Sequence, residues 1–314
     1  MHAENKPMQS TNTIFLVRPS TFAFNKETFI SNKFQFEIVE SKESIQQKVL
    51  AEFDAFANTL SARGIQVHVF EDTIFPEKPD AIFPNNWVSF HEDGTMILYP
   101  MLALNRRLER REDIQTFFKN NFIIHRLLDL TMYEKDNRFL EGTGSIVFDH
   151  IHQVAYAAVS PRTDKDLFLL VCDYLHYKPI CFHAFDKSEI AIYHTNVMMC
   201  IGKFFAVICL ECIADKTERA LLVNQLKFTG HQLIDISFEQ MYHFAGNMLC
   251  LQTNENKEIL VLSQSACDEL TEIQKKEIEK HVELLPLSIP TIETIGGGSA
   301  RCMIAEIFLQ PKEK

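Results

Sequence analysis

The sequence of 314 residues lacks several features that would assign it to a particular class. It has no run of Lys and Arg, and 31 basic against 42 acidic residues give a formal net charge of −11, so nucleic-acid binding is not expected. The longest apolar run, 204–210, is far shorter than the ~20 residues that span a bilayer, and residues 1–12 lack the apolar core of a signal peptide. We therefore expect a cytoplasmic protein without a membrane partner.

Cysteine is also sparse, since 8 residues in a chain of this length are too few for a small disulfide scaffold. The C-x-x-C pair of Cys209 and Cys212 has no second pair to complete a zinc site and lies in an apolar stretch. We expect reduced thiols and no metal site.

A repeat is present instead. Five stretches each join a small or polar motif to two β-rich segments separated by a turn: 83–100, 140–159, 193–211, 244–263 and 295–309. Their equivalent positions recur at intervals of 51 to 56 residues, at Asn85, Glu141, His194, Gly246 and Gly297. Turn dipeptides such as Asp93-Gly94 and Gly202-Lys203 predict β-hairpins.

The segments between these hairpins have helical periodicity. Apolar residues at three- and four-residue steps predict helices at 44–63, 105–120, 163–176, 216–229 and 266–283, and β-rich runs follow at 66–70, 122–127 and 232–236. Each unit therefore has the order β-β-α-β. Five such units around an axis cover one another's apolar faces, which predicts a five-bladed α/β propeller in a single domain over 1–314. An ordinary two-domain α/β protein with hairpin insertions is the alternative.

In such a ring, the residues that open each hairpin converge near the axis. A carboxylate, an imidazole and a thiol occupy these places, at Glu141, His194 and, after the glycine run 296–298, Cys302. A thiolate is a nucleophile, an imidazole moves a proton, and a carboxylate orients the imidazole or activates water. Taken alone, each of these three residues would be interpreted as structural. Because they occupy equivalent positions in different repeats, we predict that together they form a catalytic site. The other eleven histidines lack this register, so we expect them to be structural.

Several motifs resemble the guanidino-group-modifying (pentein) superfamily, which includes dimethylarginine dimethylaminohydrolases, arginine deiminases and glycine amidinotransferases. They are PDAIFPNNWVSF, FLEGTGSIVFD, VSPRTD, YHTNVMMC and GGGSARCM, in the family's order and over nearly the whole chain. The family fold is a five-bladed ββαβ propeller. The resemblance implies that Cys302 is the nucleophile, His194 the general acid/base and Glu141 the site carboxylate. It also implies that Asp80 grips the planar nitrogen group of the substrate and that Arg162 holds its α-carboxylate.

The chain departs from the family at two positions, where Asn86 and Gly144 stand in place of the usual aspartates. Binding a guanidinium in a dry pocket without paired carboxylates is costly, whereas a neutral ureido group needs mainly hydrogen bonds, which Asn85 and Asn86 supply. Gly297 lets backbone N–H groups approach a ligand closely. We therefore expect a cysteine-dependent hydrolase that converts citrulline to ornithine, ammonia and carbon dioxide without metal or organic cofactor.

Other functions remain open at this point. One is an arginine or methylarginine hydrolase, of the dimethylarginine dimethylaminohydrolase or deiminase type; another is an amidinotransferase, in which an amine replaces water; a third is a non-catalytic binding protein. We expect residues 16–25, with Arg18 and Asn25, to cover the site as a loop. An amino-acid substrate is the expected partner, and oligomer formation is left open.

Overall fold

The computed structural model describes residues 8–313. The strands are β1 (Thr13–Arg18), β2 (Gln66–Glu71), β3 (Val88–Phe90), β4 (Thr95–Leu98), β5 (Arg126–Asp129), β6 (Val147–Asp149), β7 (Val154–Ala158), β8 (Lys178–Phe182), β9 (Met199–Ile201), β10 (Phe205–Ile208), β11 (Gln232–Asp235), β12 (Leu249–Gln252), β13 (Glu258–Ser263), β14 (Glu283–Leu287) and β15 (Ala305–Glu306). The α-helices are α1 (Lys26–Phe29), α2 (Lys42–Ala62), α3 (Leu104–Arg107), α4 (Glu112–Asn121), α5 (Gly142–Ser145), α6 (Lys165–Leu175), α7 (Thr195–Met198), α8 (Lys216–Phe228), α9 (Phe238–Tyr242), α10 (Gln264–Glu269), α11 (Glu272–Glu279) and α12 (Pro290–Gly296).

The strands form five sheets of three strands each. In four of them a hairpin supplies the first two strands and the third pairs in parallel: β3-β4-β5, β6-β7-β8, β9-β10-β11 and β12-β13-β14. The fifth sheet has the order β15-β1-β2, because the C-terminal strand pairs antiparallel with the first strand, with Ile14 opposite Glu306. This pairing closes the ring, and the predicted five-bladed α/β propeller is confirmed. That a single domain spans 1–314 stays a prediction.

Long amphipathic helices cover the outer faces of the sheets. In α2, apolar residues at three- and four-residue steps, from Ile45 to Leu60, are buried. The Ser41 side chain caps this helix by accepting from the backbone N–H of Ser44. Gly64, with φ +81°, follows its end. The helices predicted at 44–63, 163–176 and 216–229 are confirmed with small shifts of their ends.

Two segments that were predicted as single helices each contain two helices, so these two predictions were wrong. The segment 105–120 contains α3 and α4, and the chain turns between them where buried Arg106 forms an ion pair with Glu109 at 2.8 Å. The segment 266–283 is divided between α10 and α11, because Thr271 and Gln274 form a capping box that starts a new helix. The strand predicted at 122–127 begins only at Arg126.

An aromatic cluster packs the first strand against the neighbouring unit. The Phe15 ring lies 6.1 Å from that of Trp87 and 5.1 Å from that of Phe118, so the closure of the ring is covered by apolar packing. Within residues 8–313, no helix is both long enough and apolar enough to cross a membrane.

Candidate active site

Glu141 and His194, both predicted from the repeat, stand at equivalent places in the fold. Glu141 precedes α5 and His194 precedes α7, and each short helix leads to the first strand of its unit. Glu141 is fully buried and His194 is 2% exposed. His194 Nε2 lies 2.8 Å from Glu141 Oε2. The structure therefore brings the predicted imidazole and carboxylate into direct contact.

Neighbouring charges hold the Glu141 carboxylate in its ionised form. Burial opposes ionisation, but the Arg162 guanidinium, the hydrogen bond with His194 and the Arg106 guanidinium keep the pKa of Glu141 well below its usual range. Arg162 Nη1 and Arg106 Nη1 lie 3.4 and 4.0 Å from Glu141 Oε2. The backbone N–H of Leu102 donates to Oε1 at 3.0 Å. Glu141 is thus a buried negative charge between two cations.

The partner of His194 determines which ring nitrogen is free. Burial lowers the pKa of His194 to about 4, although Glu141 acts in the opposite direction, so the ring is neutral at pH 7. Because an ionised carboxylate only accepts hydrogen bonds, Nε2 carries the hydrogen and Nδ1 carries the lone pair. Nδ1 faces Gly144, where a Cβ would lie 2.8 Å from it and 2.3 Å from Asn86 Nδ2. Glycine at this position therefore keeps space beside the basic nitrogen.

Cys302 follows α12 and is 3% exposed. Asn247 Nδ2 and Asn196 Nδ2 lie 3.3 and 3.5 Å from its Sγ. The Asn247 amide is oriented, because its Oδ1 accepts from the backbone N–H of Arg301 at 3.1 Å and its Nδ2 donates to the carbonyl of Asn196 at 2.8 Å. Two amide N–H donors directed at the sulfur are suited to hold a thiolate, the nucleophilic form of cysteine.

Tyr193 packs beside His194 and is hydrogen-bonded to the glycine run that precedes Cys302. Its ring centroid lies 4.7 Å from that of His194. Burial, with a contribution from the Cys302 thiol, raises the pKa of Tyr193 well above its usual range. The Tyr193 hydroxyl donates to the carbonyl of Gly297 at 2.6 Å. Gly297 has φ +61°, which glycine adopts without strain, and turns the chain from α12 towards Cys302. Its predicted contact with substrate stays a prediction.

Asp80 is a buried carboxylate with one unused oxygen. Oδ2 accepts from Asn25 Nδ2 at 2.8 Å and from Thr28 Oγ1 at 3.1 Å. Oδ1 has no hydrogen-bond partner among the residues that the structure describes. Burial raises the pKa of Asp80, and Arg106 and Asn25 act against that rise. A buried acceptor of this kind is satisfied by the N–H groups of a ligand.

Arg106 determines the orientation of Asn86. Arg106 Nη1 donates to Asn86 Oδ1 at 2.7 Å, and its Nε and Nη2 donate to Glu109 at 2.8 and 2.9 Å. Burial raises the pKa of Glu109 to about 7, against the effect of Arg106. Asn86 Nδ2 and both amide atoms of Asn85 have no hydrogen-bond partner within residues 8–313. The pocket therefore contains an oriented donor and a second amide that can donate or accept.

Residues 20–36, here called the lid segment, cover the site. Arg162 holds this segment in place: its Nη2 donates to the carbonyl of Thr28 at 2.9 Å, and its Nε and Nη2 donate to Ser31 Oγ at 2.9 and 2.8 Å. Asn25 reaches the site as predicted, but Arg18 does not, because it pairs with Asp54 at 2.7 Å at the end of β1. The predicted role of Arg162 as the holder of an α-carboxylate stays a prediction.

A cavity of about 650 Å³ lies directly outside the lid segment. It is lined by Ile30 and Ser31 of that segment, by residues 102–104 and by Pro161 and Ile190.

Sequence analysis did not identify Arg106, Asn196 or Thr28 as members of the site. Arg106 gave no signal, since an arginine in an amphipathic segment is normally exposed. Asn196 could have been found, because it follows His194 by two residues and Asn247 occupies nearly the same place in the next repeat. Thr28, in α1, contacts Asp80 across a separation of 52 residues, which local sequence does not encode.

Comparison with known proteins supports the architecture. The profile of the eukaryotic N,N-dimethylarginine dimethylhydrolase family matches residues 18–309. No match was found among curated proteins. The N-terminal domain of ArgZ, an arginine dihydrolase from the ornithine-ammonia cycle in cyanobacteria, superimposes with a TM-score of 0.73 at 14% identity, covering 94% of this chain and 97% of that domain.

Two further solved structures have the same fold. Unliganded AgrE gives a TM-score of 0.74 at 15% identity, covering 96% of this chain but only 40% of the AgrE chain; the full-length ArgZ chain is likewise covered to 40%. A dimethylarginine dimethylaminohydrolase, captured as an adduct with S-methyl-L-thiocitrulline, gives 0.63 at 13% identity, with 94% and 99% of the two chains covered.

The family match spans most of the chain, and the ring of five three-stranded sheets agrees with it. The chain therefore belongs to the eukaryotic N,N-dimethylarginine dimethylhydrolase family within the pentein superfamily, and it is a hydrolase that acts on non-peptide C–N bonds.

Proposed function

We propose that this chain hydrolyses the terminal C–N bond of a guanidino side chain, with L-arginine and methylated arginines as its first candidate substrates. The observation that carries this proposal is the buried Asp80 carboxylate, whose Oδ1 has no partner within residues 8–313. A guanidinium offers N–H donors only, so it satisfies this oxygen and gains charge-assisted hydrogen bonds. Two of the relatives named above are an arginine dihydrolase and a dimethylarginine dimethylaminohydrolase, and they favour this substrate class over the citrulline predicted from the sequence.

The geometry supports a two-step reaction at Cys302. His194 Nδ1 accepts the thiol proton, and Sγ forms a bond to the trigonal carbon of the guanidino group. The resulting tetrahedral adduct collapses as the bond to the terminal nitrogen breaks, and His194 returns the proton so that the nitrogen leaves as ammonia or a methylamine. Water then adds to the thio-linked carbon, the S–C bond breaks, and a ureido product and the thiol are released.

Glu141 and Asn86 have separate roles in this scheme. Glu141 accepts from His194 Nε2. Because its pKa lies well below the usual range, Glu141 is ionised and stabilises the imidazolium that forms during proton transfer. Asn86 Nδ2 lies beside the basic face of His194, since both atoms approach the same position at Gly144. Arg162 would hold the α-carboxylate of the substrate after exchanging its contacts with the lid segment.

Citrulline is the second candidate substrate, and the orientation of Asn86 favours it. Because Arg106 donates to Asn86 Oδ1, the amide directs its Nδ2 donor into the pocket. A guanidinium has no acceptor for this donor, whereas the oxygen of a ureido group is one. Removal of both terminal nitrogens of arginine in one site would pass through a ureido group, so Asn86 would serve the second hydrolysis.

A substrate panel tests these assignments. Purified protein is incubated with arginine, dimethylarginine and citrulline, and ammonia, methylamines, citrulline and ornithine are quantified. We expect kcat/KM to be at least about tenfold higher on one of the guanidino substrates than on citrulline. The reverse order would assign the enzyme to citrulline, and turnover of none of the three would contradict the proposal. Product formation that depends on added glycine would indicate amidino transfer in place of hydrolysis.

The partner in this proposal is a small amino acid. The cytoplasmic location and the oligomeric state stay predictions, which cell fractionation and sedimentation of the purified chain would test.

A further inference from the structure

Asp149, His152 and His231 form a cluster outside the site described above. Asp149 ends β6, His152 lies in the turn before β7, and His231 lies between α8 and β11, so the cluster joins two neighbouring units of the ring. One ligand atom from each side chain lies within 4.8 Å of the other two. Two imidazoles and a carboxylate at this spacing are a typical donor set for a transition metal.

The distances within the cluster match those around a small tetrahedral ion. His152 Nδ1 lies 2.9 Å from Asp149 Oδ2, and His231 Nε2 lies 3.8 Å from the same oxygen. Ligands about 2.0–2.1 Å from a zinc ion at tetrahedral angles are roughly 3.4 Å from one another. Small rotations of the two rings would therefore bring all three atoms to bonding distance.

The hydrogen bonds of His231 direct a lone pair into the cluster. Thr229 Oγ1 lies 2.9 Å from His231 Nδ1, and the single hydroxyl hydrogen is donated to the carbonyl of Gln225 at 3.0 Å or of Leu226 at 3.1 Å. When the hydroxyl hydrogen goes to a carbonyl, the hydroxyl oxygen accepts from His231 Nδ1 and Nε2 carries the lone pair. An outer partner that orients a ring in this way is typical of metal-bound histidines.

A lone pair that faces a carboxylate oxygen is unfavourable unless a cation lies between them. His231 is 4% exposed, and its Nε2 has no hydrogen-bond partner in the described part of the chain. The Gly202 backbone also approaches the ring, without forming a hydrogen bond to Nε2.

We propose that Asp149, His152 and His231 bind one Zn²⁺ ion that links the unit of β6–β8 to the unit of β9–β11. Two nitrogen donors favour zinc over Mg²⁺ and Ca²⁺, which prefer all-oxygen sites. The half-exposed His152 side chain, 35% accessible, leaves a fourth position open to water. The ion stabilises the folded ring by mass action and takes no part in turnover. This differs from the sequence-based expectation that these histidines are structural and that the protein has no metal site.

The test uses the tag-free, metal-stripped chain in a Cys302→Ala background, so that the catalytic thiol cannot bind the ion. Zinc is measured by equilibrium dialysis, geometry by the visible spectrum of added Co²⁺, and stability by thermal unfolding with Zn²⁺ or Mg²⁺. We expect one zinc per chain, a tetrahedral Co²⁺ spectrum and a rise in Tm with Zn²⁺ only.

His183 offers a matched control. It makes a bond of 2.9 Å to Glu218 but belongs to no cluster of three ligands among the described residues. His152→Ala should weaken zinc binding by at least about tenfold and abolish the rise in Tm, whereas His183→Ala should change neither. His231→Gln should weaken zinc binding and abolish the rise in Tm in the same way as His152→Ala. If His231→Gln does not fold because position 231 is buried, the result of His152→Ala, at a half-exposed position, decides the test. Binding of less than half an equivalent, or an equal loss in His183→Ala, would overturn the proposal.

Discussion

Two histidine–carboxylate pairs of almost equal length lie in different surroundings in this ring. His194 Nε2 lies 2.8 Å from Glu141 Oε2, and His152 Nδ1 lies 2.9 Å from Asp149 Oδ2. The first pair is buried, whereas the His152 side chain is 35% exposed. The length of the bond therefore gives no information about the role of either pair.

The neighbours of each pair distinguish them. Glu141 has Arg162 and Arg106 within 4.0 Å, which keep it ionised, while burial keeps the His194 imidazole neutral. Asp149 has instead a second imidazole, His231, at 3.8 Å. A pair beside cations and a thiol is suited to proton transfer, and a pair beside another imidazole is suited to metal binding.

Removal of the thiol should have the largest effect. Cys302→Ala should lower kcat by roughly four powers of ten or more, which is about 5 kcal/mol of barrier, because no other nucleophile replaces it. Steady-state ammonia release measures this. Cys267→Ala, in α10, is the matched control and should retain wild-type activity. Near-normal turnover in Cys302→Ala would contradict the mechanism.

Replacement of the histidine in each pair tests directly whether the two pairs differ in function. His194→Gln should lower kcat by about 10²- to 10⁴-fold, since it removes the proton carrier. His152→Gln should leave kcat within about twofold of wild type, because it lies outside the catalytic site. Kinetics on the preferred substrate at pH 7.5 measure both variants. Equal losses in both would show that the two pairs do not differ in function.

The pH dependence of stability should report the burial of His194. Its folded pKa of about 4 lies below the usual value of ~6.5, so between these pH values the unfolded chain binds a proton that the folded chain does not. The contribution of His194 to stability should therefore fall by about 2 kcal/mol from pH 7 to pH 5, outside the more acidic range in which Glu141 titrates. Burial also lowers the pKa values of His91 and His150, so these two residues add to the total loss. Urea unfolding at both pH values measures this loss. His194→Gln should reduce it, and curves parallel to wild type would contradict the prediction.

Replacement of Asn86 should have the smallest of these effects, and it should change the preference of the enzyme between citrulline and arginine. Asn86→Asp replaces the Nδ2 donor by a carboxylate oxygen while the contact with Arg106 remains. The ratio of kcat/KM for citrulline to that for arginine should fall about tenfold, or about 1.4 kcal/mol, because a ureido oxygen would face an acceptor. Asn120→Asp, on the exposed end of α4, is the control for added charge. An unchanged ratio would show that Asn86 does not contact the reacting group.

Repeats and local signals in the sequence predicted most of the architecture. Hairpin turns, helix periodicity and the regular spacing from Asn85 to Gly297 predicted five units, and the pairing of β1 with β15 completes the ring they imply. The division between α10 and α11 also has a local signal in the sequence, the capping box of Thr271 and Gln274. The break at Arg106 had none, because an arginine becomes buried only when distant partners neutralise it.

The sequence by itself determined the ring and the residues that open each unit, because turns, caps and hydrophobic periodicity depend on neighbours a few residues apart. Only the tertiary structure decided which charges face each other. Arg106 with Asn86, Arg162 with the lid segment, and His231 with Asp149 are pairs that the chain brings together over long separations. Their orientation depends on how whole units pack against one another, and no pattern of neighbouring residues in the sequence predicts that packing.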